Sequence, residues 1–155
     1  MPRNVTRKPE RKKPDRELEA QARRALRLSA VNGFTRFALE SIETGQASLR
    51  FDVAARHKQL HGVVHGGLLA ALADTTGAMA AYTVTPKGTA LATIELKINY
   101  LEAVAGGRVR AEARVLRAGR NFVVSECEIF DAKGTLAAKA LLTFGAAGGH
   151  SLEKK

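Results

Sequence analysis

Tryptophan is absent from this 155-residue sequence, and two tyrosines and six phenylalanines are its only aromatic residues. Its core must therefore come mostly from Ala, Val, Leu and Ile, and the length suits one domain with one core. A single cysteine, Cys127, excludes an internal disulfide framework and is compatible with a reducing compartment. It stands in the alternating run Val123-Val124-Ser125-Glu126-Cys127-Glu128-Ile129, which marks a small strand residue rather than a nucleophile. No run approaches the ~20 apolar residues needed to cross a bilayer. The longest, Leu68 to Tyr82, is interrupted by Asp74, Thr75 and Thr76. No apolar signal core follows the N-terminal charges, and Glu10, Asp15, Glu17 and Glu19 argue against an acid-poor transit peptide. A cytoplasmic location is expected.

What the sequence has in excess is positive charge, +10 at pH 7, of which residues 1–27 supply ten bases and four acids. Pro2, Pro9 and Pro14 lie among those charges. Such a segment cannot bury enough apolar surface to fold. The expected layout is a basic disordered tail over 1–15, one domain over 16–146, and a frayed C-terminus over 147–155. The tail suits contact with a polyanion or long-range steering of an anionic ligand. It lacks interleaved aromatics and is too short for a helix-turn-helix domain, which disfavours nucleic acid as a partner.

Asp15 is a candidate cap for a helix from about Arg16 to Ala30, stopped by Asn32-Gly33. Two strands are predicted over Phe34 to Ile42 and Ala47 to Val53, and a polar, His-rich connection over 54–65. From Gly66-Gly67 to Tyr82 the Ala- and Leu-rich sequence is helical by length and apolar on almost every face, the mark of a helix buried all round. Four strands separated by turn signals follow, over about 92–101, 109–116, 122–130 and 136–144, and read as a meander. The fold class is α+β: an antiparallel six-stranded sheet wrapped around a long central helix, with an N-terminal helix. An exposed sheet edge favours association through a second copy.

Asp74 is the only ionisable side chain between His65 and Tyr82. A carboxylate on a buried helix is costly unless it is bonded or sits at a polar opening, so it is the first candidate for chemistry. His65-Gly66-Gly67 opens the same helix. Free N–H groups at a helix start can stabilise a carbonyl that develops into an oxyanion, and glycine lets a ligand approach the backbone. Asp74 follows Gly66 by eight residues, about 12 Å along the axis. One carbonyl cannot rest on Gly66 N–H and be attacked from Asp74 of the same chain. If both act, the site is shared by two protomers, with two sites per dimer. His57, His61 and His65 recur every four residues, but Gly62, Val63 and Val64 disfavour the helix that would make them metal ligands.

From about Asn32 to Gly145 the chain resembles the PaaI-type branch of the hot-dog-fold thioesterases. The residues that carry the likeness are His65-Gly66-Gly67, the helical Leu-Leu-Ala-Ala-Leu-Ala-Asp74, and the strand Thr93-Ile-Glu-Leu-Lys-Ile-Asn-Tyr100. The resemblance implies hydrolysis of an acyl-CoA, aryl or short to medium in chain, by a homodimer or homotetramer with no metal or other cofactor. It implies that Gly66 N–H polarises the thioester carbonyl and that Asp74 activates water or attacks directly. It also implies that Gln59 holds the carbonyl or water, that Thr93 orients the water, and that His65 and Gly67 complete the turn at the substrate. Arg117, Arg120 and Asn121 are the implied contacts for the CoA phosphates. The rival readings are a hot-dog domain that binds acyl-CoA without cleaving it, and a polyanion binder acting through the basic tail. A hot-dog dehydratase is disfavoured because no Asp and His stand at the spacing those enzymes use.

Overall fold

A computed structural model describes residues 15–147, so the predicted tail (apart from Asp15) and residues 148–155 lie outside the described residues. Helix α1 (Arg16–Leu28) is capped as expected, with Asp15 Oδ1 accepting from the N–H groups of Glu17 and Leu18 at 3.1 and 3.2 Å. Ala22 and Leu26, four residues apart, bury its inner face, and Ser29 ends it slightly before the predicted Ala30.

The predicted strand from Phe34 begins later than expected. Residues Asn32–Thr35 form a single helical turn, α2, and strand β1 occupies Ala38–Glu43. The cause is Asn32, expected to act only as a helix stop. Its side chain accepts from Phe37 N–H at 2.8 Å and donates to Phe37 O at 3.1 Å, folding the chain back while Arg36 takes a left-handed φ of 58°. Strand β2 (Gln46–Asp52) pairs with β1, and a short 3-10 turn at Ala55–His57 leads to helix α3 (Gly66–Tyr82).

Four further strands follow: β3 (Ala90–Tyr100), β4 (Arg108–Ala118), β5 (Phe122–Phe130) and β6 (Leu136–Ala147). Strand β6 runs three residues past the predicted Phe144 and holds Ala147 opposite Ala90, at the position expected to begin the frayed terminus. The sheet is antiparallel throughout, in the order β1-β2-β4-β5-β6-β3. The last four strands are therefore not a simple meander. Only β4, β5 and β6 follow one another in space, while α3 carries the chain across the sheet and delivers β3 to the far edge beside β6. Alternation fixes which face a strand buries, but not which neighbour it takes.

The sheet curls over α3, and Leu49, Phe51, Val109, Ile129, Leu142 and Phe144 form the buried layer beneath it. Gly77 permits close contact: a Cβ there would lie 3.2 Å from Ser125 Oγ and 3.3 Å from both Leu142 Cδ1 and Phe144 Cζ. The helix is not buried all round, as its composition suggests. Leu72, Ala73, Thr76, Gly77 and Ala80 are covered, but a half-buried stripe runs through Ala70, Ala71, Asp74, Thr75, Ala78 and Tyr82. One sheet cannot enclose the whole circumference of a helix, and the uncovered strip is apolar except at its polar members. Edge strand β3 is likewise uncovered, with Ile94 58% and Tyr100 51% exposed. No helix of the described residues is long and apolar enough to cross a membrane.

Candidate active site

Asp74 lies midway along the half-buried stripe of α3, and the curl of the sheet brings β3 alongside it. Thr93 is paired in register with Phe144 on the face toward the helix. Its Oγ1 donates to Asp74 Oδ1 at 2.8 Å. A register shift between Thr93 and Glu95 follows at once, and bulges of this kind re-aim side chains at strand edges. Two residues 19 apart in sequence, each singled out as a candidate, are thus in contact. The resemblance places Thr93 on a water. Here the hydroxyl's single proton is on the carboxylate, leaving its lone pairs free to accept from a water.

The start of α3 is tied down group by group. His65 is the N-cap, and its Nδ1 accepts from Gly67 N–H at 2.9 Å. Its carbonyl accepts from Leu68 N–H at 2.9 Å and, more weakly, from Leu69 N–H at 3.4 Å, while its own N–H donates to His57 O at 2.9 Å. Gly66 N–H makes no hydrogen bond among the described residues. The turn therefore presents one free amide, at Gly66. The neighbouring amide of Gly67, an expected substrate contact, is occupied by His65.

Two residues that support this turn were not foreseen. Tyr100, the last residue of β3, donates its hydroxyl to Gly66 O at 2.9 Å. His57 entered the sequence reading only as a doubtful metal ligand, yet it is 1% exposed and lies edge-on to Phe51 and Phe34, with centroids 5.0 and 5.9 Å away. Its Nδ1 accepts from Ala54 N–H at 3.1 Å, so Nε2 carries the proton and donates to Phe34 O at 3.2 Å. The neutral ring fastens three segments beneath the helix start. A polar residue followed by buried neighbours was the available signal for His57. For Tyr100 there was none, because its partner lies 34 residues away.

The other candidates are not gathered at this point. Gln59 is half-buried on the turn before His65, where its Oε1 accepts from His61 N–H at 2.8 Å; its amide nitrogen has no hydrogen-bond partner among the described residues. Arg117, Arg120 and Asn121 are exposed at the β4–β5 turn, and neither arginine forms an ion pair among the described residues. Nor do His57, His61 and His65 converge; among the described residues no three His, Cys, Asp or Glu side chains form a possible metal site. Cys127 is fully buried, and burial pushes its thiol up to about 12, which leaves it inert.

Gly66 and Asp74 share one unbroken helix, two turns apart, so the free amide and the carboxylate of a single chain are about 12 Å distant along the axis.

A family model described as the thioesterase superfamily matches residues 61–138, which span the helix start, Asp74 and Thr93. The chain is 30% identical over 128 residues to the 1,4-dihydroxy-2-naphthoyl-CoA hydrolase of Escherichia coli K12, covering 83% of this chain and 94% of that protein. It is 38% identical over 93 residues to the proofreading thioesterase EntH of Klebsiella pneumoniae, covering 60% of this chain and 68% of that one. Among solved structures, the Escherichia coli PaaI protein of the phenylacetic acid degradation operon superposes with a TM-score of 0.77 at 25% identity, over 86% of this chain and 96% of that one.

Proposed function

This chain belongs to the thioesterase superfamily, and from that premise we propose that it hydrolyses an acyl-CoA to the free acid and CoA at a site shared between two protomers. The observation that carries the reading is the separation of the free Gly66 amide from the Thr93-held Asp74 on one rigid helix. A second protomer with its helix antiparallel brings its Asp74 to the first protomer's Gly66. Pairing of the uncovered β3 edges, with the apolar stripe of α3 at the contact, is the arrangement that achieves this. Exposed Phe122 and Leu141 on the outer sheet face offer a second contact, by which two dimers form a tetramer.

In this reading the thioester oxygen accepts from Gly66 N–H. Asp74 takes a proton from a water held by Thr93 and Gln59, and the water oxygen bonds to the carbonyl carbon. The resulting oxyanion is held at Gly66 until the C–S bond breaks and the departing thiolate takes from Asp74 the proton that came from the water. The CoA phosphates lie toward Arg117, Arg120 and Asn121. The acyl group is aryl, which the similarity to the naphthoyl-CoA hydrolase supports, or a short to medium chain. A lone buried thiol suits a cytoplasmic setting.

The test is complementation between two inactive variants. Asp74→Ala removes the base, with a loss of about 10²- to 10⁴-fold expected. Gly66→Pro removes the free N–H at the first helical position, where the backbone suits proline and His65 at φ −62°, ψ 130° suits a following one; its Cβ also shifts the Tyr100 ring, 3.2 Å away. Unfolded together and refolded, the two should recover about a quarter of wild-type activity, since half the dimers are hybrids and each hybrid has one intact site. Turnover by Asp74→Ala at the wild-type rate refutes the base. Absence of recovery in the mixture refutes the shared site.

A further inference from the structure

We infer that Tyr100 is a positioning residue for the reaction: it locks the Gly66 backbone so that its one unused amide hydrogen keeps a fixed direction. The inference rests on the reading of Gly66 as the donor to the substrate carbonyl. Glycine is the residue with the most backbone freedom, so a glycine amide makes a good oxyanion donor only when something else removes that freedom. At this turn the restraints can be assigned to each peptide unit. The unit joining His65 to Gly66 is held through its carbonyl by Leu68 and Leu69 N–H, and those bonds polarise the free Gly66 N–H at its other end. The unit joining Gly66 to Gly67 is held at its N–H by His65 Nδ1 and at its carbonyl by Tyr100 Oη, both at 2.9 Å.

The tyrosine also acts through its ring. A Cβ on Gly66 would lie 3.2 Å from Tyr100 Cζ and 3.4 Å from Cε1, so the ring rests on the glycine's α-carbon. The phenol thus adds a restraint to the Gly66–Gly67 unit, at a carbonyl that also heads the helical ladder. Within the single chain Tyr100 is 51% exposed at the end of an edge strand, so one protomer alone gains little from its burial. Its hydroxyl bond to Gly66 is the contact that distinguishes it from any other strand-end aromatic.

The experiment compares wild type, Tyr100→Phe and Asp74→Ala in one acyl-CoA hydrolysis assay, together with ¹⁵N relaxation of the Gly66 amide. Tyr100→Phe keeps the ring and loses the hydroxyl. We expect kcat to fall about tenfold with KM within about twofold, an unchanged Tm, and a Gly66 order parameter that drops from about 0.85 toward 0.6. A wild-type kcat in Tyr100→Phe overturns the inference. So does a fall in kcat with a Gly66 amide as rigid as before, or one that merely tracks a lower Tm. Should Asp74→Ala retain full turnover, the proposed mechanism fails instead, and the Gly66 relaxation still decides whether Tyr100 holds the turn.

Discussion

Replacing Thr93 by Val tests the link between the edge strand and the acid directly. Valine keeps the shape and the β-branched preference for a strand while deleting the 2.8 Å bond to Asp74 Oδ1. A carboxylate rotates broadly about its terminal torsion, and this bond fixes one oxygen and leaves Oδ2 for the water that the proposed mechanism requires. Bonds to charged groups are worth about 1.5–3 kcal/mol, but Thr93 is exposed in the single chain, so the low end applies. About 1.4 kcal/mol of lost orientation is a tenfold fall in rate. We therefore expect kcat down about tenfold, KM nearly unchanged, and recovery in Thr93→Ser, which restores the hydroxyl. Release of CoA thiol can be followed with a thiol reagent, because the protein's own Cys127 is buried with its thiol pushed up to about 12. A Thr93→Val enzyme within about twofold of wild type would sink the argument that this hydroxyl organises the acid.

Other consequences are open to measurement. Ser125 Oγ is fully buried without a hydrogen-bond partner among the described residues and faces Gly77, so Ser125→Ala should stabilise the fold by about 1 kcal/mol in urea unfolding. Destabilisation of that size would mean the hydroxyl has a partner in solution. Acid should unfold the protein. Burial alone would push Glu126 up, but its bonds to Arg114 and Lys139 outweigh that and hold it below its ordinary 4.5. Arg108 lowers Asp52 and the Thr135 backbone N–H lowers Asp131, each from 3.8. Depressed carboxylates contribute stability above their ordinary values and lose it as pH falls through the folded ones. Tm should hold above the ordinary glutamate value of 4.5 and decline below it, as pH falls toward the lowered Glu126; a flat profile down to about pH 3 would contradict this.

The elements legible in the sequence are those whose signal is local. The central helix, the cap at Asp15 and the alternation of the strands all follow from spacing within a few residues. Asp74 was legible because it breaks an apolar pattern, and the Gly66 turn because glycines precede a helix. Other features depend on groups far apart in the chain. The β3–β6 pairing, the fold-back at Asn32, the buried ring of His57 and the Tyr100 bond each join segments whose proximity no periodicity encodes. The half-buried stripe on α3 is only weakly encoded, for a related reason. Composition reports how apolar a helix is, not how far around it a single sheet can reach.

Residues 67–73 of the central helix have a further consequence as a ruler. Inserting or deleting one residue there would turn Asp74 by about 100° around the axis and shift it by 1.5 Å, carrying the carboxylate away from Thr93. The length of this stretch is therefore what keeps the carboxylate against the strand hydroxyl, and a change of one residue would part them.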